Sequence, residues 1–520
     1  MPPGVPSRTA FTFACTVAAI ALAWRLVGLT DWPATAYPTL QYESALAARA
    51  LATDFFPSDR DPERLAWRDA VGAEYFVAPP ILPAMVAAVY LATGEEAPWV
   101  SRVFTIGLWL LAGAVIHRTI ARTTGSGWAA AAGFTWFVLC PFGMILSRSF
   151  QTESLLAFAF ACGVLLLSKP LSLLSWRRTV FAGLACGAIA FVKPGILFAP
   201  LLGGFAAVVM PRSVPGRLRD KLLHMAAFGV LMILPGTVYA LGLLKPHAGR
   251  ILPELLGEAW FYQGLAFQIR GVLGPAAWLG LLGVAMAAHA HSYLAAGLLA
   301  GHLATQAVFT YHAATHDYYQ APLMVIAAVA LGWPVAALER AYRRRERLHS
   351  RPVRIAILMS LAMGVAGCLV FTRDAEIGPF RWLPENRAAA ARNVEERHQR
   401  ARRAEVIRGI VGVRKRVVEL TEQYGYPLRF HGWAQTVRWP TIEERDYMAR
   451  VGATPPEFSA QDYLRQIIRD VACRYLVVTD MHEWDRQPDL RIALAAFGDP
   501  IIPCAGVMIF DLMPTVLADR

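Results

Sequence analysis

The chain has 520 residues, of which 56% are hydrophobic and only 17% charged; soluble proteins carry roughly 25%, so an ordinary soluble globule is excluded. The formal net charge is +12, but its cations gather in short loops between apolar runs, the pattern of the positive-inside rule, so a nucleic-acid partner is excluded. Seven cysteines lack metal-ligand spacing: Cys15, Cys140, Cys162, Cys186 and Cys368 read as packing residues in apolar runs, whereas Cys473 and Cys504 would be bridged only in an oxidising compartment.

A transmembrane helix needs about 20 apolar residues. Runs at 11–30, 101–118, 127–146, 154–168, 179–193, 195–210, 222–244, 270–290, 292–311, 319–340 and 353–372 predict spans. The first follows Arg8 and has no convincing cleavage site, so it reads as an uncleaved span and not as a signal peptide. A long outer loop, 31–100, comes next. From Gln41 it predicts an amphipathic helix, with Tyr42, Ala45, Leu46 and Arg49 spaced along one face. The stretch 80–94 is short and carries Pro83, which predicts a helix lying on the outer surface. Lys193 and Pro194 split the fifth and sixth spans at a tight turn. A second outer loop covers 245–269.

With the N-terminus in the cytoplasm, Arg118, Arg122, Lys169, Arg177, Arg178, Arg212, Arg217, Arg219, Lys221 and the arginines of 340–354 all fall inside. The expected fold class is a polytopic α-helical membrane protein of about eleven spans, 1–372, with a soluble extracytoplasmic α/β domain, 373–520. That tail opens with a charged helical stretch, 393–425, followed by strand-like runs at 474–479 and 504–512.

The ionisable groups at the opposite, outer face are the candidates for chemistry, because burying charge at membrane depth costs about 2.5–3.5 kcal/mol per group. Glu43, just after the first span, reads as a general base or as a surface carboxylate paired with Arg49. Glu153 opens the fourth span beside Arg148, where a carboxylate also favours the positive helix end. Lys193 is a lone cation on the cation-poor face. It suits a phosphate or snorkels, and Arg102 reads the same way. His316, Asp317, Tyr318 and Tyr319 crowd one outer turn, as sugar- or lipid-contacting groups or as an interfacial aromatic belt.

Taken in order, QYESALAARAL, PPILPAMVAAVYLATG with Arg102 after it, SRSFQTESLL, FVKPG and HDYYQAPL make residues 9–345 resemble the GT-C glycosyltransferases, in the family 39 and aminoarabinose-transferase-like branch. The resemblance implies a helical core around an outer-face cavity in the plasma (inner) membrane. It further implies inverting transfer of a sugar from a polyprenyl-phosphate donor to a lipid, glycan or protein acceptor. It assigns Glu43 as base where the family usually has an Asp, often in an Asp-Glu pair; here Gln41 and Tyr42 precede Glu43. Lys193, Arg102 and Arg148 would hold the donor phosphate, and Glu153, His316, Asp317, Tyr318, Tyr319, Gln41 and Tyr42 would position sugar or acceptor. No cofactor is expected: no nucleotide-phosphate loop is present and no metal-ligand set is spelled out, although a divalent cation is compatible with carboxylates meeting a phosphate. The rival readings are a lipid or solute transporter, which predicts charges in mid-span and paired halves, and a sensor whose tail carries the function.

Overall fold

A computed structural model describes residues 8–30, 37–55, 79–169, 174–193, 196–211, 214, 216–243, 252–274, 276–344, 384–412, 416–450, 459–471 and 473–513. Packing divides the chain into two units. One comprises Met1–Asp31, Val77–Leu82 and Pro98–Arg387; the other comprises Trp32–Phe76, Pro83–Ala97 and Ala388–Arg520.

The first unit is helical throughout its described residues. Its main helices are Arg8–Arg25, Pro98–Thr124, Gly127–Leu139, Glu153–Leu167, Trp176–Val192, Phe198–Val209, Leu218–Leu243, Ala259–Leu273, Ala276–His289, Leu294–Val308 and Ala321–Arg344. Two segments, Pro98–Thr124 and Asp317–Tyr342, are long and apolar enough by themselves to cross a membrane. Large apolar side chains stay exposed on these helices, among them Leu111, Phe181, Val230, Phe267 and Trp278. Exposed apolar side chains in this number mark surfaces that meet lipid or another protein.

Small residues let the helices close on one another. The Leu294–Val308 helix lies on Phe198–Val209 at Gly301, where a Cβ would come within 2.1 Å of the Phe198 carbonyl oxygen. Gly283 does the same for Ala276–His289 against Ala321–Arg344: a Cβ would meet the Ala330 carbonyl oxygen at 2.1 Å.

Two expected spans are interrupted. The run 127–146 breaks before Pro141, which cannot donate a helical hydrogen bond, giving Gly127–Leu139 and Pro141–Leu146. The run 270–290 is two helices, Ala259–Leu273 and Ala276–His289, bent by 91°. Gly274, at φ 54°, ends the first of them, so that helix occupies part of the expected second outer loop. The last expected span, 353–372, lies outside the described residues, as do Pro194 and most of the arginines of 340–354.

The second unit combines the outer-loop helices with the tail. Pro38–Phe55 buries the predicted face, Tyr42, Ala45, Leu46 and Arg49, and packs on Tyr426–Gly432. A helix over Ile81–Thr93 matches the expected surface helix in extent. The tail forms a four-stranded sheet in the order β2-β1-β3-β4. Its strands are β1 (Arg416–Leu420), β2 (Gln435–Arg438), β3 (Tyr475–Val478) and β4 (Met508–Asp511). β1 runs parallel to β2 and β3, and β4 is antiparallel to β3.

Alternation along β1 and β3 sends side chains to two cores. Val418, Leu420, Leu476 and Val478 pack with Leu464, Leu490 and Phe510. Val417, Tyr475 and Val477 pack with Ile407, Leu428 and Ile509. The expected helix over 393–425 is therefore corrected: helix Pro384–Val411 ends first, and Arg416–Leu420 is a strand. Its paired valines favour a pleated, two-sided burial that local charge had masked. Cys473 and Cys504 are both free thiols.

Candidate active site

In the first unit, Glu153 is the first residue of its helix and is buried, 2% exposed. Lys193 ends the Trp176–Val192 helix, and its Nζ donates to Glu153 Oε1 at 3.0 Å. The same ammonium stands 4.0 Å from the centre of the Tyr319 ring and 4.9 Å from that of Tyr318, where the negative ring faces favour a cation. Four expected residues from three separate chain segments thus meet around one charge.

The short turn Asp317–Gln320 is held from below. Gln320 Oε1 accepts from His302 Nε2 over 2.8 Å, and its Nε2 donates to Gln306 Oε1 at 2.9 Å. His312 stacks on Tyr319 at 5.4 Å, and the ring of His316 packs edge-on to Tyr318 at 5.2 Å. Burial, then His312, then Lys193 push the His316 imidazole down to about 4. It is a neutral hydrogen-bonding group near pH 7, not a cation. Asp317 is half-buried at the start of the turn.

Arg102 and Arg148 have a structural engagement that sequence reasoning did not give. Arg102 Nη1 donates to the carbonyls of Gly28 and Leu29 at 2.6 and 2.9 Å, and Arg148 Nη2 donates to that of Val27 at 2.5 Å. Arg25, fully buried, reaches Val138 O and Ser147 Oγ, both at 2.7 Å. These guanidinia satisfy carbonyls left over where the first helix and the Gly127–Leu139 helix end, and they fix the segment that leads into Glu153.

That segment holds a residue the sequence did not single out. Gln151 is 2% exposed, and among the described residues neither its Oε1 nor its Nε2 has a hydrogen-bond partner. Oε2 of Glu153 also lacks one. Unpaired buried polar atoms cost roughly 1–3 kcal/mol each, so two side chains two residues apart carry unused hydrogen-bonding capacity. Only the amide in SFQTES, flanked by a helix start, could have signalled it.

In the second unit, Glu43 lies half-buried on the Pro38–Phe55 helix, and Gln41 and Tyr42 are buried. Tyr42 Oη lies 3.1 Å from His431 Nε2. Burial raises the Tyr42 phenol to about 12, while burial and then Arg49 lower His431 to about 4. Both are neutral, so a single proton joins them, carried by the phenol or by Nε2 according to the imidazole tautomer. Arg49 pairs with Glu96, its Nε 2.9 Å from Oε1 and its Nη2 2.9 Å from Oε2. The tail's Asp480 and Glu483 are absorbed structurally: Asp480 caps the Met481–Arg486 helix, and Glu483 accepts from Ile442 N and Gln487 Nε2. No group of three or more His, Cys, Asp or Glu among the described residues is placed to hold a metal ion.

No protein-family model and no curated protein sequence matches the chain significantly. Solved structures do. ArnT from Cupriavidus metallidurans in the apo state is 15% identical over 96% of this chain and 98% of that one, with a TM-score of 0.54. The same protein bound to undecaprenyl phosphate is 13% identical over 98% and 99%, with a TM-score of 0.52. The oligosaccharyltransferase AglB from Archaeoglobus fulgidus, with an inhibitory peptide and a dolichol-phosphate, is 13% identical over 95% of this chain and 73% of that one, with a TM-score of 0.58. Nothing in the structure or the comparisons supports a transporter. The chain shares its fold with these ArnT and AglB structures.

Proposed function

We propose that the protein moves a sugar from a polyprenyl-phosphate donor to a hydroxyl, or similar nucleophile, of a lipid, glycan or protein acceptor. In this reading about eleven spans hold it in the plasma membrane, and the reaction and the tail are extracytoplasmic. The observation that carries it is the buried Glu153–Lys193 pair under Tyr318 and Tyr319, in a fold whose solved examples include proteins bound to undecaprenyl phosphate and dolichol-phosphate.

The chemistry is a single displacement with inversion. Glu43 takes the proton of the acceptor hydroxyl as its oxygen bonds to the anomeric carbon. The bond from that carbon to the phosphate oxygen breaks, and the polyprenyl phosphate leaves with an additional negative charge. Lys193 stabilises that charge, a form of assistance that is usually the largest electrostatic contribution. To do so it exchanges the Glu153 oxygen for a phosphate oxygen, and the freed carboxylate accepts from a sugar hydroxyl. Arg102 and Arg148 keep their carbonyl partners and add positive charge at longer range, while His316, Asp317, Gln41 and Tyr42 position the reactants.

The test is transfer of labelled sugar from a panel of polyprenyl-phosphate sugars by purified protein supplied with membrane extract. Wild type should turn over with at least one donor, and Glu43→Gln should lose about 100- to 10,000-fold while remaining folded. Retained transfer in Glu43→Gln sinks the base assignment. Folded wild type that is inert with every donor sinks the reaction.

A further inference from the structure

The second unit contains a cavity of about 590 Å³ lined by Arg49, Glu96, Glu405, Arg408, Gly409, Phe430, His431 and Trp433. Its size falls in the usual range for small-ligand sites. The wall alternates between aromatic faces and charges. Arg49, 6% exposed, is sandwiched between Phe430 and Trp433, with its Cζ 3.9 and 4.4 Å from the ring centres. Its Nη1 also donates to Phe430 O at 2.7 Å. Glu405 and Arg408 lie one turn apart on the Pro384–Val411 helix and are exposed.

Three features define the ligand. First, two arginines face two glutamates, so the cavity has no net charge and gives no preference to an anion. Second, Arg49 is committed to Glu96 and to Phe430 O, and Phe430 is buried, so the groups that reach the cavity are the exposed Glu405 carboxylate and Arg408 guanidinium and the half-buried Trp433 ring; an acceptor, a donor and an apolar face suit the hydroxyls and C–H face of a sugar ring. Third, Trp433 sits at φ 52°, ψ 30°, a left-handed conformation that costs a non-glycine residue roughly 1–2 kcal/mol. The fold holds an indole against strain where Gly or Asn would rest more easily.

The placement is equally specific. Arg49 and Glu43 share the Pro38–Phe55 helix, six residues apart, which is about 9 Å of rise and about 120° around its axis. Tyr42, next to Glu43, is hydrogen-bonded to His431 of the cavity wall. We infer that this cavity binds a neutral saccharide, and that this saccharide is part of the acceptor. The second half rests on the proposed transferase reading; binding itself does not.

The experiment is saturation-transfer NMR on the full-length protein in detergent, without donor, using neutral disaccharides built from glucose, galactose, mannose, arabinose or N-acetylglucosamine. Glucose 1-phosphate and a short acidic peptide serve as competitors. At least one disaccharide should bind. Trp433→Ala should weaken it by tenfold or more, and Trp433→Phe should recover part of the loss. Glu405→Ala/Arg408→Ala changes only exposed side chains and should also weaken it without altering thermal unfolding. In a transfer assay Trp433→Ala should raise the acceptor KM and hold kcat within about threefold. No binding by any disaccharide, binding unchanged in both variants, or saturable binding of only the phosphate or the peptide overturns the inference. Saccharide binding that follows these variants in a protein without transferase activity keeps the pocket and removes the transferase reading instead.

Discussion

Replacing Lys193 by Met tests the centre of the site. The side chain is similar in length and keeps its apolar stem, so the change removes little besides the charge. The partner left behind, Glu153, is 2% exposed. At 3.0 Å and an effective dielectric of about 20, the attraction is roughly 5 kcal/mol. Breaking a buried pair by removing one member costs about 3–5 kcal/mol, because the remaining charge is stranded. Lys193 keeps 19% side-chain exposure, which admits some water and favours the lower end, about 3 kcal/mol. At about 2 °C per kcal/mol for a large domain, Lys193→Met should unfold about 6 °C lower in a detergent thermal melt. Glu153→Gln/Lys193→Met removes both charges and should regain most of that loss. Donor binding should behave differently: both single and double variants lose the charge-assisted contact to phosphate, worth about 1.5–3 kcal/mol, or roughly 10- to 150-fold in Kd. A Lys193→Met protein as stable as wild type, with unchanged donor affinity, would refute the reasoning.

Gln151→Leu removes an amide that has no partner among the described residues, so it should leave stability unchanged or slightly raised. If that amide reads donor hydroxyls, a panel of donor sugars should show altered relative kcat/KM. Gly301→Ala should destabilise by about 1–3 kcal/mol, read as a lower melting temperature, since its Cβ would collide with the Phe198 carbonyl. His316 and His431 titrate near 4 in the folded protein, below the ordinary 6.5. As pH falls below 6.5 the unfolded chain takes up these protons first. The stability is therefore complete above 6.5 and is lost progressively toward 4, by about 1–2 kcal/mol per histidine at pH 5. Melts between pH 7 and 5 should fall, and the fall should be shallower in His431→Gln.

Much of this architecture is local. Apolar runs bounded by charge specify where the long helices lie, because backbone in lipid must satisfy its own hydrogen bonds. The period of Tyr42, Ala45, Leu46 and Arg49 specifies the buried face of Pro38–Phe55. Pro141 and Gly274 mark two breaks by chemistry legible in one dimension, although the 91° bend at the second is not. The strand Arg416–Leu420 was hidden, since its register comes from Gln435–Arg438 and Tyr475–Val478, and long-range pairing leaves almost no trace in five residues.

The partners of the charges are likewise a tertiary property. Composition says that Glu153, Lys193 and two tyrosines lie near helix ends on one face. Only folding brings an ammonium from residue 193 to a carboxylate 40 positions earlier and tyrosines more than a hundred positions later. Only folding, too, gives Arg49 to Glu96 and turns Arg102 and Arg148 toward the carbonyls of 27–29. Hydropathy and capping act over one or two turns, so the sequence alone determines helices, their faces and their ends. Ion pairing and close packing depend on distances between segments far apart in the chain, and these exist only once the helices have closed on one another.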